Sequence, residues 1–245
     1  MKKLLYLLYG ALSYTIFFGT YCYAAGFVTN LVVPKGLDSK PTSSLFYSLF
    51  VNVGLLALFA LQHSIMARPA FKQWWIRLVP EPLERSTYVL LSSLCLILLF
   101  WQWQPMGGVV WSVDSEITFI ILHTISVLGF GIVLVSTFLI NHFDLFGLRQ
   151  VWLYFTGKAY TQLPFKTPLF YKFVRHPLYL GWMIAFWAAP VMTFAHFLFA
   201  LICTAYMLTA IRLEERDLIK VFGEKYIRYR QNAPMLIPFT KRIKQ

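Results

Sequence analysis

Between Pro177 and Ile211 the chain carries no Lys, Arg, Asp or Glu. Coiled as one straight helix, that stretch would reach about 52 Å, against roughly 30 Å of bilayer hydrocarbon. Two half-lengths fit better than one rod. Pro190 stands near the middle and Ala195-His196 follows, so the stretch reads as a helical hairpin turning around residues 190–196. Each arm is then about 17 residues long, short for a lipid-facing span. The return leg carries Glu214 and Glu215 back to the face where Arg175 and His176 sit. Charges far apart in sequence converge at one membrane surface, as they do in a site.

Four more apolar segments precede the hairpin, at about Leu4–Val28, Leu45–Met66, Ser86–Trp103 and Ile117–Ile140. Each approaches or exceeds the roughly 20 residues of a spanning helix. With only 13% charged and 58% hydrophobic residues, against about 25% charged in a soluble domain, the expected class is an all-α polytopic membrane protein of about six crossings. Residues 1–245 form a single integral membrane domain in this reading. Residues 1–140 are its four-helix part and 141–238 its cofactor-binding part. The apolar run after Met1-Lys-Lys continues to Phe27 without a convincing cleavage site, so it is a first membrane helix and not a signal peptide. Cys22, Cys95 and Cys203 all lie in apolar runs with no metal-ligand spacing and no disulfide framework.

A net charge of +12 would suggest nucleic acid in a soluble protein. Here no soluble basic module carries it, and the charge is topological. With the N-terminus inside, all of the 22 basic residues except Lys35 and Lys40 fall on the cytoplasmic side, where they meet anionic lipid. The expected location is a bacterial inner membrane with both termini cytoplasmic and the lipid bilayer as partner. No obligate protein partner is evident. Trp101, Trp103 and Trp111 mark the outer interface, and Trp74 and Trp75 the inner one. Pro69, Pro80 and Pro82 prevent the 67–85 loop from being one long helix. Beyond the hairpin, Leu218, Phe222, Tyr226 and Tyr229 recur at helical spacing, which predicts a surface-lying amphipathic helix ending before Pro234.

The stretch Arg175-His-Pro-x-Tyr-x-Gly181, the apolar hairpin, Glu214-Glu215 and the Phe222-Gly-x-x-Tyr226-x-x-Tyr229 tail resemble the isoprenylcysteine carboxyl methyltransferase and phospholipid methyltransferase superfamily. Upstream, His63-Ser-Ile-Met-Ala-Arg68, Glu84-Arg-Ser-Thr-Tyr88 and Phe143-Asp-Leu-Phe-Gly-Leu-Arg-Gln150 resemble its NnrU-like branch. Within that branch the chain is similar over nearly its whole length to the bacterial methanethiol S-methyltransferases. The resemblance implies an integral membrane enzyme that uses S-adenosyl-L-methionine. It also carries the cofactor contacts onto Arg175, His176, Tyr179, Gly181, Glu214 and Glu215.

No Gly-rich loop joins a strand to a helix, so a soluble Rossmann-type site is excluded. Helix ends and loops must hold the cofactor instead. Arg175 suits its carboxylate as a planar fork, Glu214 or Glu215 its ammonium or ribose hydroxyls, and Tyr179 with the terminal aromatics its adenine. A second constellation, Asn141-His142-Phe143-Asp144 with Gly147, Arg149 and Gln150, directly follows the fourth apolar segment. Here Asp144 can orient His142 as a base near neutral pKa, and Arg149 can offer charge to a thiolate or to the cofactor carboxylate. A capped helix end is the bland reading of the same residues. His63, near Arg68, Glu84 and Arg85, joins Tyr88 and Asn141 as a substrate-pocket candidate. His123 and His196 read as structural.

The leading function is methylation of a small thiol, methanethiol to dimethyl sulfide. A lipid amine or a prenylcysteine carboxylate is the alternative acceptor, and a non-catalytic haem binder of the NnrU-like kind is the alternative class.

Overall fold

The computed structural model describes residues 1–238 and 240. Its elements are α1 (Lys2–Thr29), α2 (Leu45–Met66), α3 (Pro69–Trp75), α4 (Glu81–Gln102), β1 (Val109–Ser112) and α5 (Glu116–Ile140). There follow α6 (His142–Leu145), α7 (Leu148–Thr156), a 3-10 turn (Leu169–Lys172), α8 (Pro177–Trp187), β2 (Val191–Thr193), α9 (Phe194–Phe222) and α10 (Glu224–Asn232). The two short strands pair. Among the described residues α1, α2, α4, α5 and α9 are long and apolar enough to cross a membrane. The all-helical polytopic class read from the sequence is the class observed.

The hairpin turns where Pro190 predicted, but its arms are unequal. The first arm, α8, has 11 residues, about 16 Å and half the hydrocarbon thickness. Proline at 190 lacks an N–H and disfavours helical geometry in the residue before it, so α8 stops at Trp187. The second arm, α9, runs 29 residues without a break and carries Glu214 and Glu215 on its last turns. The terminal amphipathic helix also differs from expectation. Gly223 sits at φ 54° between α9 and α10, a conformation open mainly to glycine. Leu218 and Phe222 therefore belong to α9, and Tyr226 and Tyr229 to α10. The expected end before Pro234 holds.

The chain forms two compact units. The first comprises 1–110, 141–162 and 193–196; the second comprises 111–140, 163–192 and the chain from Phe197 on. In the first, α4 packs against α1 and α2, and α7 against α1. Pro82 falls in the first turn of α4, where a missing N–H costs nothing, and Glu81 and Glu84 complement the helix dipole there. Phe27, Leu37, Leu99 and Trp103 are fully buried. That placement removes Trp103 from the expected outer belt: its indole donates to Leu37 O at 3.4 Å and meets Phe27 edge-on. Trp101 is 72% exposed.

The second unit is built on α5 against α8. Gly129 and Gly181 let the two backbones touch: a Cβ on Gly129 would sit 2.7 Å from Gly181 O, and one on Gly181 2.8 Å from Gly129 O. Ser126 Oγ donates across to Ala185 O at 2.7 Å. Small residues and interhelical hydrogen bonds are how helices associate where lipid offers no hydrophobic drive. Ile117, Ile120, Val127 and Leu128 of α5 are exposed. An apolar face of that size suits acyl chains, not water.

Candidate active site

In the second unit the Arg-His-Pro stretch ends in a helix start. His176 caps α8 and Pro177 takes its first turn. Arg175 Nε donates to Glu215 Oε1 at 2.7 Å, and His176 Nε2 lies 3.0 Å from the same oxygen. Arg175 Nη1 reaches the carbonyls of Arg230 (3.0 Å) and Ala233 (2.7 Å). Backbone bonds from Arg175 N to Pro234 O and from His176 N to Met235 O complete the clamp. The side chains of Arg175 and Glu215 are each 12% exposed. A charged pair so enclosed needs every hydrogen bond it has, and here it has them.

The sequence expectation that Arg175 turns its fork to a ligand is thus only half available. Nε and Nη1 are engaged within the protein, and Nη2 makes no hydrogen bond among the described residues. Glu214 is half-buried one residue earlier, and its charge is felt at Tyr171 and Tyr226. Burial first, then nearby Glu214, holds the Tyr171 phenol well above its ordinary range. Tyr179 sits with its ring 5.7 Å from that of His176. Gly181 lies beneath this cluster against Gly129 of α5. Its observed contact is helix packing, where the resemblance had placed a cofactor contact.

Four aromatics close the cluster. Phe165 lies 5.1 Å from Phe222, 5.8 Å from Tyr226 and 5.5 Å from Tyr229. Tyr229 donates its hydroxyl to Tyr171 O and Val174 O. Tyr226 is 2% exposed, and its hydroxyl has no hydrogen-bond partner among the described residues.

In the first unit the 141–150 stretch is held against α4. Gly147, at φ 89°, approaches so closely that a Cβ would meet Ser86 N at 2.7 Å. Arg85 Nε donates to Leu145 O at 2.7 Å. Asn141 Oδ1 accepts from Asp144 N at 3.0 Å, so Asn141 caps α6. It does so at φ 140°, a rare value for a residue with a side chain.

His142 is 2% exposed, with Nε2 2.8 Å from the Tyr14 hydroxyl and its ring 4.8 Å from Phe146. Burial lowers its pKa from 6.5, so the imidazole is neutral at pH 7. Asp144 was expected to orient it. Both oxygens of Asp144 are instead engaged elsewhere: Oδ1 accepts from Arg149 Nη1 at 2.8 Å and Oδ2 from the Tyr160 hydroxyl at 3.3 Å. Arg149 also donates to Thr161 O and Oγ1 and lies over the Tyr160 ring, so its charge is largely answered within the protein.

His63 and Tyr88, each a substrate-pocket candidate from the sequence, are in contact, Tyr88 Oη standing 3.0 Å from the imidazole and Ser92 Oγ 3.3 Å from Nδ1. Arg85 lies over the Tyr88 ring at 5.0 Å. Met66, Tyr88 and Val89 form a buried cluster with Phe17, Phe71, Trp75 and Phe146 packed on it. Phe146 thus joins the His142 ring to the wall that holds His63 and Tyr88. The result is an apolar environment with a neutral imidazole at its edge. His123 and His196 stand apart, His123 beside Phe119 and His196 Nδ1 3.0 Å from Asp38 Oδ2.

Comparison with known proteins agrees with the motifs. The chain is 58% identical over 239 residues to the methanethiol S-methyltransferase of Crocosphaera subtropica, covering 98% of this chain and 94% of that one. It is 48% identical over 242 residues to the methanethiol S-methyltransferase of Mycobacterium tuberculosis, covering 99% of each. The chain belongs to the methanethiol S-methyltransferase family. Nurim of Xenopus laevis is more distant, 33% identical over 180 residues, or 68% of this chain and 61% of Nurim. No family model and no solved structure matches.

For this methanethiol S-methyltransferase family member, sequence reasoning overlooked Tyr14 and Tyr160. Tyr14 lies in the first apolar helix and reaches His142 across 128 positions. No local pattern signals such a pair. Tyr160 had a usable signal, an aromatic 16 residues after Asp144 within one polar loop.

Proposed function

We propose that this chain is a membrane-embedded, S-adenosyl-L-methionine-dependent thiol S-methyltransferase that converts methanethiol to dimethyl sulfide. The observation that carries this reading is identity of 48–58% over essentially full length to proteins named for that activity. The residues of the second unit fit such a donor. Glu214 offers a carboxylate to an ammonium, Arg175 keeps its Nη2 end for an anion, and Tyr226 carries a buried hydroxyl with no partner among the described residues. When bound, the cofactor supplies an electrophilic methyl on a sulfonium.

The chain's own residues do the rest. Arg175 and His176 hold Glu215 and tie the 230–235 segment to the start of α8, which orders the cofactor-binding surface before anything binds. Ordering in advance lowers the entropic cost of binding. Tyr179 and Phe165 supply apolar wall. In the first unit His142 takes the thiol proton. The thiolate is the nucleophile, and an alkyl thiol is mostly protonated at neutral pH. Arg149, held by Asp144 and Thr161, fixes the loop beside His142, and Asn141 holds the α6 turn. His63 and Tyr88, beside Met66 and Phe146, supply apolar wall for a small thiol. Residues 1–140 and 141–238 act as helical scaffold and cofactor-binding part of one membrane domain, placed in a bacterial inner membrane with both termini cytoplasmic.

Purified protein in nanodiscs, supplied with methanethiol and the cofactor, should release dimethyl sulfide into the headspace in step with S-adenosylhomocysteine. Turnover on a prenylcysteine or a lipid amine, with no dimethyl sulfide, would reassign the acceptor.

A further inference from the structure

The two tyrosines of the terminal motif are treated differently by the fold. Tyr229 places its hydroxyl on two backbone carbonyls, Tyr171 O and Val174 O. Tyr226, three residues earlier on α10, is 2% exposed, and its hydroxyl meets no hydrogen-bond partner among the described residues. A phenol buried in this way forfeits its bond to water and gains nothing in exchange. Phenylalanine would pack equally well against Phe165 and Tyr229. The hydroxyl therefore points to a use that the described residues do not supply.

Its surroundings say what that use is. Glu214, Glu215 and Arg175 all lie near enough to act on the Tyr226 phenol. Glu215 is already paired with Arg175 and His176, whereas Glu214 and the Nη2 end of Arg175 are not engaged by hydrogen bonds among the described residues. Burial, and next the Glu215 charge, keep the phenol protonated far above neutral pH, so it acts as a donor. A donor hydroxyl, one end of a guanidinium and a carboxylate together match a zwitterion: an anion for the first two, an ammonium for the third.

We infer that the Tyr226 hydroxyl donates to the α-carboxylate of the bound S-adenosyl cofactor, beside the Nη2 end of Arg175, while Glu214 receives the α-ammonium. This assignment rests on the cofactor reading given under Proposed function and names the end of the cofactor that this cluster holds. Tyr226 is thus a binding residue for the amino-acid end, and the nucleoside lies outside its reach.

Two ligands and one variant test it, using the full-length protein in nanodiscs. S-adenosylhomocysteine has the amino-acid end; 5′-methylthioadenosine has the same nucleoside without it. Tyr226→Phe should weaken S-adenosylhomocysteine by roughly five- to twentyfold and leave 5′-methylthioadenosine unchanged. Without ligand, the variant should melt at the wild-type temperature or higher, because it loses only an unanswered polar group. A lower unliganded melting temperature would mean that the hydroxyl has a structural partner, and would overturn the assignment. Equal loss for both ligands, or no loss for either, would overturn it as well. If wild-type protein itself fails to bind S-adenosylhomocysteine, the cofactor reading falls and takes this one with it. Wild-type binding with an indifferent Tyr226→Phe removes only the role of Tyr226.

Discussion

Substituting alanine at Gly181 separates helix packing from ligand contact. The added Cβ would lie 2.8 Å from Gly129 O, 2.9 Å from Val133 Cγ2 and 3.0 Å from Val133 N. Two of those three atoms are backbone and cannot rotate away. Reaching ordinary contact near 3.4 Å moves α8 from α5 by roughly 0.5 Å, and a gap of that size forfeits about a quarter of the dispersion well for each atom pair along the seam. It also stretches the Ser126–Ala185 hydrogen bond. Overpacking of this kind costs about 1–3 kcal/mol, offset by about 1 kcal/mol of helix propensity gained on leaving glycine. The net is a loss of up to about 2 kcal/mol, or at most roughly 8 °C in melting temperature for a chain of this size. Thermal unfolding in nanodiscs measures it, with S-adenosylhomocysteine affinity read on the folded protein below the transition. Reduced stability with near-native affinity is expected. Unchanged melting together with lost affinity would refute the packing argument and return Gly181 to the cofactor.

Glu215→Ala strips Arg175 and His176 of their shared acceptor and should lower stability by about 2–3 kcal/mol. Glu214→Ala should leave melting nearly unchanged and weaken S-adenosylhomocysteine about tenfold; equal effects from the two variants would erase the distinction between clamp and ligand contact. His142→Ala should reduce turnover by roughly 10²–10⁴ with cofactor affinity intact, the deficit shrinking as pH rises and the thiol arrives ionised; wild-type turnover at neutral pH would eliminate the base. Because burial depresses the folded pKa of His142, its share of stability is fully present above its ordinary 6.5 and is lost as pH falls through the lowered folded value. The acid limb of activity should therefore inflect below 6.5, and a limb above 6.5 would assign the proton elsewhere. Reporter fusions at Lys35 and Asp114 should read outside and one at Trp75 inside; a fusion at Gln245, which lies outside the described residues, should also read inside, and a periplasmic signal there would contradict the charge-based orientation.

Composition and spacing were enough to determine the class of this protein, its first four long spans, the hairpin turn near Pro190 and the return of Glu215 to Arg175 and His176, but not the split of the expected six crossings into an 11-residue α8 and a 29-residue α9. The reason is physical: backbone facing lipid must satisfy its hydrogen bonds internally, so crossings are written as apolar lengths, and a charge-free stretch too long to cross once must fold back. That His63 and Tyr88 belong to one candidate pocket was legible for a related reason, since polar groups inside an apolar segment are seldom idle; that they touch was not. Partner choice among groups of similar reach was not legible. Arg175 had a carboxylate and two carbonyls waiting inside the fold, and Asp144 had Arg149 and Tyr160 within range. Which bonds form depends on distances that only tertiary packing sets. The same holds for Tyr14 against His142, for the burial of Trp103, and for Gly181, whose missing side chain means one thing beside a cofactor and another beside the backbone of Gly129. Spacing along a chain specifies which face a residue occupies; what stands opposite that face is decided when the helices meet.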